Sequence, residues 1–222
     1  MSETASKQLL KTIDTEFGWR ESEMAIAKIH LHRSIMDRAS FGYSCRCFIM
    51  MTYAHFEAFT KLVIAQALQD IFDSGVKWSE CRKSIQINLF AHRLRSMFSA
   101  FSNAEVAEKG SASACLIDVL PPPDLAVIFE SGNMNPTNFD WVVECIGLDP
   151  QRFSFARRDI GRLPGMRHDC AHGKALTFDP TKNEREVASD LYSLQSHIIL
   201  LMHALAVDLI DHFAASGYKQ VG

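Results

Sequence analysis

Hydrophobic residues recur along this 222-residue chain at steps of three, four and seven, the spacing of amphipathic helices. The first predicted helix spans about residues 5–37, and the last spans about 183–215. The N-terminal stripe contains Leu10, Phe17, Met24 and Leu31, with Ile13 and Ile35 beside it. The C-terminal stripe contains Val187, Leu191, Leu194, Ile198, Leu201, Leu205 and Leu209. Both stripes predict helices that bury one face against neighbours.

Residues 45–72 are apolar on almost every side, so we expect a second helix that lies between other helices after a break near Ser40–Ser44. The region from about 75 to 150 is less regular. It predicts helices near 88–101, 104–119 and 137–147, with a stop at Pro121–Pro123. No alternating strand pattern competes, so the predicted class is all-α, a helical bundle. We predict a single domain over 1–222 with an insert at about 75–150.

Another helical stretch runs from about Phe153 to Gly173, interrupted or restarted at Pro164–Gly165, and a turn at Asp179–Pro180 then leads into the last helix. The sequence of this stretch is locally basic, although the chain carries a net charge of −3. From Arg152 to Lys174 the basic residues are Arg152, Arg157, Arg158, Arg162, Arg167 and Lys174, against Asp159 and Asp169. Any contact with nucleic acid must therefore come from a local patch, for which a solvated charged face is the alternative.

Composition limits the class of protein. The hydrophobic fraction of 47% is ample for a packed core. The six cysteines show no paired Cys-x-x-Cys spacing and follow no secretory leader, which indicates a reducing cytoplasm. The longest apolar run, Ile198 to Ile210, contains His203 and Asp208 and is shorter than the roughly 20 residues of a membrane span, so it predicts a core helix and no membrane contact.

The candidate chemistry lies in Arg167-His168-Asp169-Cys170-Ala171-His172, which Gly173 follows. A guanidinium can bind a phosphodiester, and an imidazole can transfer a proton near neutral pH. Gly173 places His172 at a helix C-terminus, where the helix dipole stabilises a positive charge. Five residues at 100° per residue separate Arg167 from His172 by about 140°. Either Arg167 wraps around the helix, or the break at Pro164–Gly165 reshapes it, or two copies of the motif meet across a dimer.

His168 and His172 stand at i and i+4 and share a helix face, a spacing that can hold a metal. The pattern departs from the zincin motif because Asp169 replaces Glu, and no third ligand follows at a fixed offset. A metal-dependent hydrolase is one alternative, and a capped helix end with surface charges is another. Two further pairs are expected to be structural: Glu57 with Lys61, unless Glu57 faces a cleft, and Arg20 with Glu23.

The chain resembles the HEPN superfamily, whose catalytic members carry Arg, a polar residue, three further residues and His. Arg167, His168 and His172 fill these positions. Two more signatures are similar to one prokaryotic branch, namely Trp19-Arg20-Glu21-Ser22-Glu23 and the stretch from Tyr53 to Lys61, Tyr-Ala-His-Phe-Glu-Ala-Phe-Thr-Lys. His168 in place of the commoner Asn and Pro164–Gly165 upstream are departures from the pattern. The resemblance covers residues 1–72 and 153–215.

This resemblance implies a metal-independent endoribonuclease without cofactors, a homodimer whose two motifs face each other. RNA would be cut by 2′-OH attack, leaving a 2′,3′-cyclic phosphate and a 5′-OH. The resemblance implies His172 as general acid and base, Arg167 as transition-state stabiliser, and His168 with Asp169 as orienting groups. It also implies a toxin or phage-defence effector with a possible cognate antitoxin or inhibitor protein. Further RNA contacts are expected from Arg157, Arg158, Arg162 and Lys174, with Glu57 as a possible cleft residue. The alternative is a non-catalytic HEPN-like module that binds RNA, nucleotide or protein.

Overall fold

The computed structural model describes residues 3–86, 132–174 and 176–220, and these residues form a helical bundle without a β-strand. Five α-helices lie wholly within the described ranges, and short 3-10 helices cover Trp78–Glu80 and Pro150–Ala156. The α-helices are α1 (Glu3–Ser34), α2 (Arg38–Asp73), α3 (Pro136–Glu144), α4 (Arg157–Ala171) and α5 (Glu184–Ala214). The all-α prediction is confirmed. The helices predicted at 88–101 and 104–119, and the stop at Pro121–Pro123, lie outside the described residues.

The boundary between α1 and α2 lies earlier than predicted, at Ile35–Asp37, and the predicted break at Ser40–Ser44 is wrong. Asp37 has an extended backbone, and its side chain accepts a hydrogen bond from the Ala39 N–H, so it caps α2. The helix then continues through the serines because Phe41 and Cys45 are buried in the core. Packing therefore outweighs the turn preference of serine and glycine at this point.

Helix α2 is the centre of the bundle and contacts α1, α3, α4 and α5. Its buried side chains lie on most of its circumference, as the apolar sequence predicts. Helix α1 buries Phe17, Met24 and Leu31 as expected, whereas Leu9 is buried more fully than Leu10. One polar side chain joins the three long helices: Gln195 Nε2 on α5 donates to the Met24 carbonyl and to Thr52 Oγ1. A buried amide with two partners fixes the register of these helices.

Helix α5 begins and ends close to its predicted limits. Asn183 accepts hydrogen bonds from the N–H groups of Arg185 and Glu186, and the Glu186 carboxylate accepts one from the Asn183 N–H. This capping box satisfies backbone donors at the start of the helix. All seven predicted stripe residues of α5 are buried. Helices α2 and α5 are long and apolar enough to cross a membrane by length and composition alone, but 61% and 50% of their most apolar windows are buried in the bundle.

Helix α3 contributes to the same core. Asn135 caps it through the Asn138 N–H, as Asn135-Pro136 predicts. Phe139 is 1% exposed, and its ring packs against Phe56 of α2 and Phe153. The single domain and the insert at about 75–150 stay predictions.

Helix α4 runs without interruption from Arg157 to Ala171, so the predicted break or restart at Pro164–Gly165 is wrong. Pro164 has no N–H and therefore removes one backbone hydrogen bond, yet the neighbouring turns stay helical. Buried Ile160 and Leu163 hold this part of the helix on the core. The helix ends where expected, because Gly173 has a positive φ of 67°, the conformation that terminates helices.

Candidate functional site

The Arg167–His172 segment forms the last turn of α4 and its C-terminal cap. His172 is the cap residue, and its N–H donates to the His168 carbonyl at 3.0 Å. The imidazole rings of His168 and His172 lie 4.2 Å apart between centroids, and both residues are exposed. The i,i+4 spacing therefore produces the shared face that it predicts. Two adjacent imidazoles can donate or accept protons at this solvent-facing end of the helix.

Arg167 points toward α2, where its guanidinium carbon lies 5.6 Å from the centre of the Tyr53 ring. This is a cation–π distance, and the side chain is half-buried. Tyr53 is itself 2% exposed and fixed through its hydroxyl, which accepts from the Met134 N–H at 2.9 Å and donates to Asn133 Oδ1 at 3.3 Å. A buried, anchored ring thus positions the arginine of the motif.

Burial raises the pKa of the Tyr53 phenol above its ordinary value, and the Glu57 carboxylate raises it further. The hydrogen bond from the Met134 N–H and the Arg167 charge partly oppose this rise. Tyr53 is therefore neutral at physiological pH. It can support Arg167 and hold the segment that contains Met134, and it does not provide a phenolate.

Arg167 and His172 lie on different sides of one α4. Because the helix is unbroken, the separation of about 140° expected from ideal geometry applies. Arg167 rests on Tyr53 on the α2 side, whereas His172 lies against His168 on the exposed side. The wrapping of Arg167 around the helix and a reshaped turn are therefore not seen.

Asp169 pairs with a lysine. Its Oδ1 lies 3.3 Å from Lys174 Nζ, and its backbone carbonyl accepts from the Lys174 N–H at 3.0 Å. Within the described ranges this is the charge partner of the Asp169 carboxylate, and no hydrogen bond joins it to His168 or His172. The roles predicted for Asp169 as an orienting group and for Lys174 as an RNA contact stay predictions, and the pair attenuates the charge of each.

The other basic residues of α4 differ in how far their charges are matched. Arg157 forms two hydrogen bonds with the Asp140 carboxylate, at 3.0 and 2.7 Å. Arg162 lies 3.9 Å from Asp159. Arg158 has no ion-pair partner in the part of the chain that the structure describes. Among the predicted RNA contacts, Arg158 and Arg162 therefore have the charge most available to a ligand.

The Trp-Arg-x-x-Glu signature joins α1 to α2. Arg20 is 5% exposed, lies under the Trp19 ring at 4.2 Å and pairs with Glu16 at 2.6 Å. The predicted pair of Arg20 with Glu23 is therefore wrong, because Glu23 reaches across to His55 of α2, at 3.1 Å from Nε2. Burial and the Arg20 charge lower the pKa of His55. These residues clamp the two helices together.

Glu57 and Lys61 form the internal pair that their spacing predicts, with Nζ 2.7 Å from Oε1. Lys61 also donates to the Gly132 carbonyl at 3.1 Å, so it ties α2 to the segment before α3. The Glu57 carboxylate also raises the pKa of the Tyr53 phenol. A position of Glu57 in a cleft stays a prediction.

Two residues that α2 presents toward α4, Arg46 and Tyr53, have no role predicted from the sequence, although Tyr53 begins the Tyr53–Lys61 signature. Arg46 is close enough to Cys170 to lower the pKa of that thiol, although burial raises it more. Arg46 has no ion-pair partner among residues 3–86, 132–174 and 176–220. A spacing of seven residues puts Arg46 and Tyr53 on one face of α2. The signal that could have identified Arg46 is a cation in this apolar helix with no acidic residue three or four positions away.

No group of three or more His, Cys, Asp or Glu side chains with the proximity of a metal site occurs among the described residues. The five cysteines in those residues are free, and Cys115 lies outside them.

Comparison with known proteins gives one family. The family model described as HEPN_MAE_28990-like HEPN matches residues 9–217, which include α1 from Leu9 onward, all of α2 to α5 and the whole motif. No curated protein matches the chain, and no solved structure matches it.

Proposed function

Since the chain belongs to the HEPN_MAE_28990-like HEPN family, in a superfamily whose members are often ribonucleases, we propose that it is a metal-independent endoribonuclease. The observation that carries the proposal is the end of α4. Two exposed imidazoles, His168 and His172, lie in contact there, and Arg167 extends from another side of the same helix end onto its Tyr53 support. Phosphodiester cleavage by a 2′-OH needs proton transfer and charge stabilisation, and this helix end carries side chains suited to both.

In the proposed reaction the ribose 2′-OH attacks the adjacent phosphorus while the 5′-oxygen of the next nucleotide leaves. His172 takes the proton from the 2′-OH or gives one to the leaving oxygen, and Arg167 binds the charge that builds on the phosphate oxygens. His168, in ring contact with His172, orients it or shares its proton. The products carry a 2′,3′-cyclic phosphate and a 5′-OH. DNA lacks the attacking hydroxyl, so it is not cut.

A homodimer is part of the proposal. One chain presents Arg167 and His172 on different sides of α4, so a second chain is needed to bring an arginine to the exposed imidazoles. We propose that the two motifs face each other and that each cleavage site takes its Arg167 from one protomer and its His172 from the other. Arg46 then adds a cation next to the same helix end.

The test is incubation of purified protein with single-stranded RNA in EDTA, with analysis of the product ends. Wild-type protein is expected to give cyclic-phosphate and 5′-OH ends, and His172→Ala is expected to lose cleavage by at least about 100-fold. The matched control is His32→Ala, which removes an exposed histidine from α1. Tm and oligomeric state are measured for all three proteins.

Three outcomes contradict the proposal. Cleavage that EDTA abolishes indicates the metal-dependent hydrolase with His168 and His172 as ligands. RNA binding without cleavage by the wild type indicates the non-catalytic HEPN-like module. An unchanged rate in His172→Ala excludes that residue from the reaction.

For the biological role, we propose a cytoplasmic toxin or phage-defence effector that a cognate antitoxin or inhibitor protein holds inactive. Support comes from the resemblance of the three signatures to the prokaryotic HEPN branch. Expression of the wild type is expected to arrest growth of a bacterial host, whereas His172→Ala at equal protein level is expected to be tolerated. Equal growth of the two strains would contradict the toxin role and leave the nuclease proposal to the RNA assay.

A further inference from the structure

A cleft of about 730 Å³ lies between α4, α5 and the segment that joins them. One wall is the flank of α4 that carries Arg158, Arg162 and Met166, at successive steps of four. The opposite wall comes from α5 and includes Leu191, Leu194 and His197. Phe155 and Phe178 also line it. This volume falls within the range of about 300–1,000 Å³ that is usual for small-molecule binding sites.

The α4 wall is the cationic one. The carboxylates around the cleft have partners of their own: Asp190 pairs with Lys182, Asp179 accepts hydrogen bonds from Thr181, and Asp159 accepts from His197. Arg158 has no ion-pair partner in the described ranges, and Arg162 has a weak one at 3.9 Å. Two guanidiniums one turn apart therefore face a ligand with their charge available, an arrangement suited to phosphates.

His197 is held in one orientation. Its Nδ1 lies 2.7 Å from Oδ2 of Asp159, a residue that is 7% exposed, while His197 itself is exposed. A ring whose Nδ1 binds a buried carboxylate keeps Nε2 for solvent or a ligand. Phe155 supplies an exposed aromatic face, with 47% of its surface accessible. An aromatic face, two guanidiniums and an outward imidazole nitrogen match the base, phosphate and hydroxyl groups of single-stranded RNA.

We infer that this cleft is a subsite for a nucleotide of the RNA strand that flanks the cleaved bond, and this inference rests on the proposed nuclease function. The base stacks on Phe155, and its phosphates contact Arg158 and Arg162. Helix α4 joins the two places, because Met166 lines the cleft and the next residue is Arg167. A strand that passes the motif can thus continue along the same helix.

The experiment measures RNA binding in a His172→Ala background, so that the RNA stays intact. The probe is a fluorescein-labelled single strand of roughly 16 nucleotides. Phe155→Ala is expected to weaken binding about tenfold or more, because one base loses its stacking partner. Leu200→Ala is the matched control, since this side chain on α5 is 54% exposed and does not line the cleft.

The charge arm compares Arg158→Ala/Arg162→Ala with Lys11→Ala/Arg33→Ala, which removes two exposed cations of α1 outside the cleft. The first double variant is expected to flatten the slope of log K against log salt by about 1.4, since each phosphate contact on a single strand contributes about 0.7. The control is expected to keep the slope. In a third arm each nucleotide of the probe is replaced in turn by an abasic one. At the position whose base stacks on Phe155, Phe155→Ala should not weaken RNA binding further.

The subsite is overturned if both cleft variants bind RNA with the same affinity as their controls. It is also overturned if the protein binds no RNA. The two proposals fail separately, because cleavage is measured on the wild type. Weakened binding in the cleft variants without cleavage by the wild type rejects the nuclease alone. Cleavage with unaffected binding rejects the cleft alone. Each variant is checked for an unchanged Tm before its binding is interpreted.

Discussion

Asp70 is a buried carboxylate in α2, and one of its two oxygens accepts a hydrogen bond. Oδ1 accepts from Gln66 Nε2 at 2.7 Å, whereas Oδ2 has no hydrogen-bond partner in the described part of the chain. Burial raises the pKa of Asp70 from 3.8 to about 6. The folded state therefore binds a proton more readily than the unfolded state between about pH 4 and pH 6. The free energy of unfolding falls as pH rises through this window, and above it the ionised carboxylate opposes folding.

We expect Asp70→Asn to raise the free energy of unfolding at pH 7.5 by something on the order of 2 kcal/mol, because the amide keeps the acceptor for Gln66 and removes the charge. The gain should shrink to a small remainder near pH 4, where Asp70 is protonated in the folded state and close to half protonated in the unfolded state. Urea unfolding at pH 4, 5, 6 and 7.5 measures it. Asp73→Asn is the control, since Asp73 accepts from Gln69 in the same i,i+4 geometry but is exposed. Equal effects of the two substitutions would contradict the prediction.

Residue contacts within one helix could be predicted from spacing, and contacts between helices could not. His168 with His172 and Glu57 with Lys61 follow from i,i+4 geometry. Arg20 has a carboxylate one turn away on either side, Glu16 and Glu23, and spacing alone cannot choose between them. In the structure Arg20 pairs with Glu16, while Glu23 lies 3.1 Å from Nε2 of His55 on α2. The support of Arg167 by Tyr53 is likewise a contact between helices.

The end of α5 is closed by a glycine that packs on a histidine. His212 is buried, and its Nε2 donates to the Ile146 carbonyl at 2.8 Å, so the ring cannot move aside. A Cβ on Gly217 would lie 2.5 Å from His212 Nδ1 and 3.1 Å from its carbonyl oxygen. Gly217→Ala is expected to lower the free energy of unfolding by about 1–3 kcal/mol, the usual cost of an overpacked site. Urea denaturation followed by circular dichroism measures it.

Gly18 in the middle of α1 provides the opposite case. A Cβ there meets no atom within 4 Å, and the position is exposed. Gly18→Ala should therefore raise stability by about 0.5–1 kcal/mol through helix propensity. The explanation by packing at Gly217 fails if both substitutions shift stability in the same direction. The sequence identified Gly18 as a weak point of the first helix, but the contact of Gly217 with His212 depends on how the chain turns after α5.

For the molecule as a whole, the hydrophobic pattern was sufficient to predict a bundle and insufficient to predict all of its ends. The long helices α1, α2 and α5 have apolar stripes that only a helical core can bury. The limits of a helix depend on competition between local sequence signals and packing. Asp37 caps α2 ahead of the serines at 40 and 44. The core contacts of Ile160 and Leu163 keep α4 continuous through Pro164. The balance between a local capping signal and core packing cannot be predicted from the sequence pattern, because the packing depends on residues that are distant along the chain.

The dimer proposal makes a prediction about mixed proteins. If each site takes Arg167 from one protomer and His172 from the other, a dimer of an Arg167→Ala chain with a His172→Ala chain has one site with both residues intact. Random reassortment of equal amounts should then restore about a quarter of the wild-type cleavage rate, since half of the dimers are mixed and each has one of two sites. The measurement is RNA cleavage by the co-refolded mixture, with each variant refolded alone as the control. If both residues act within one chain, every site in the mixture carries a defect, and the mixture stays as inactive as its components.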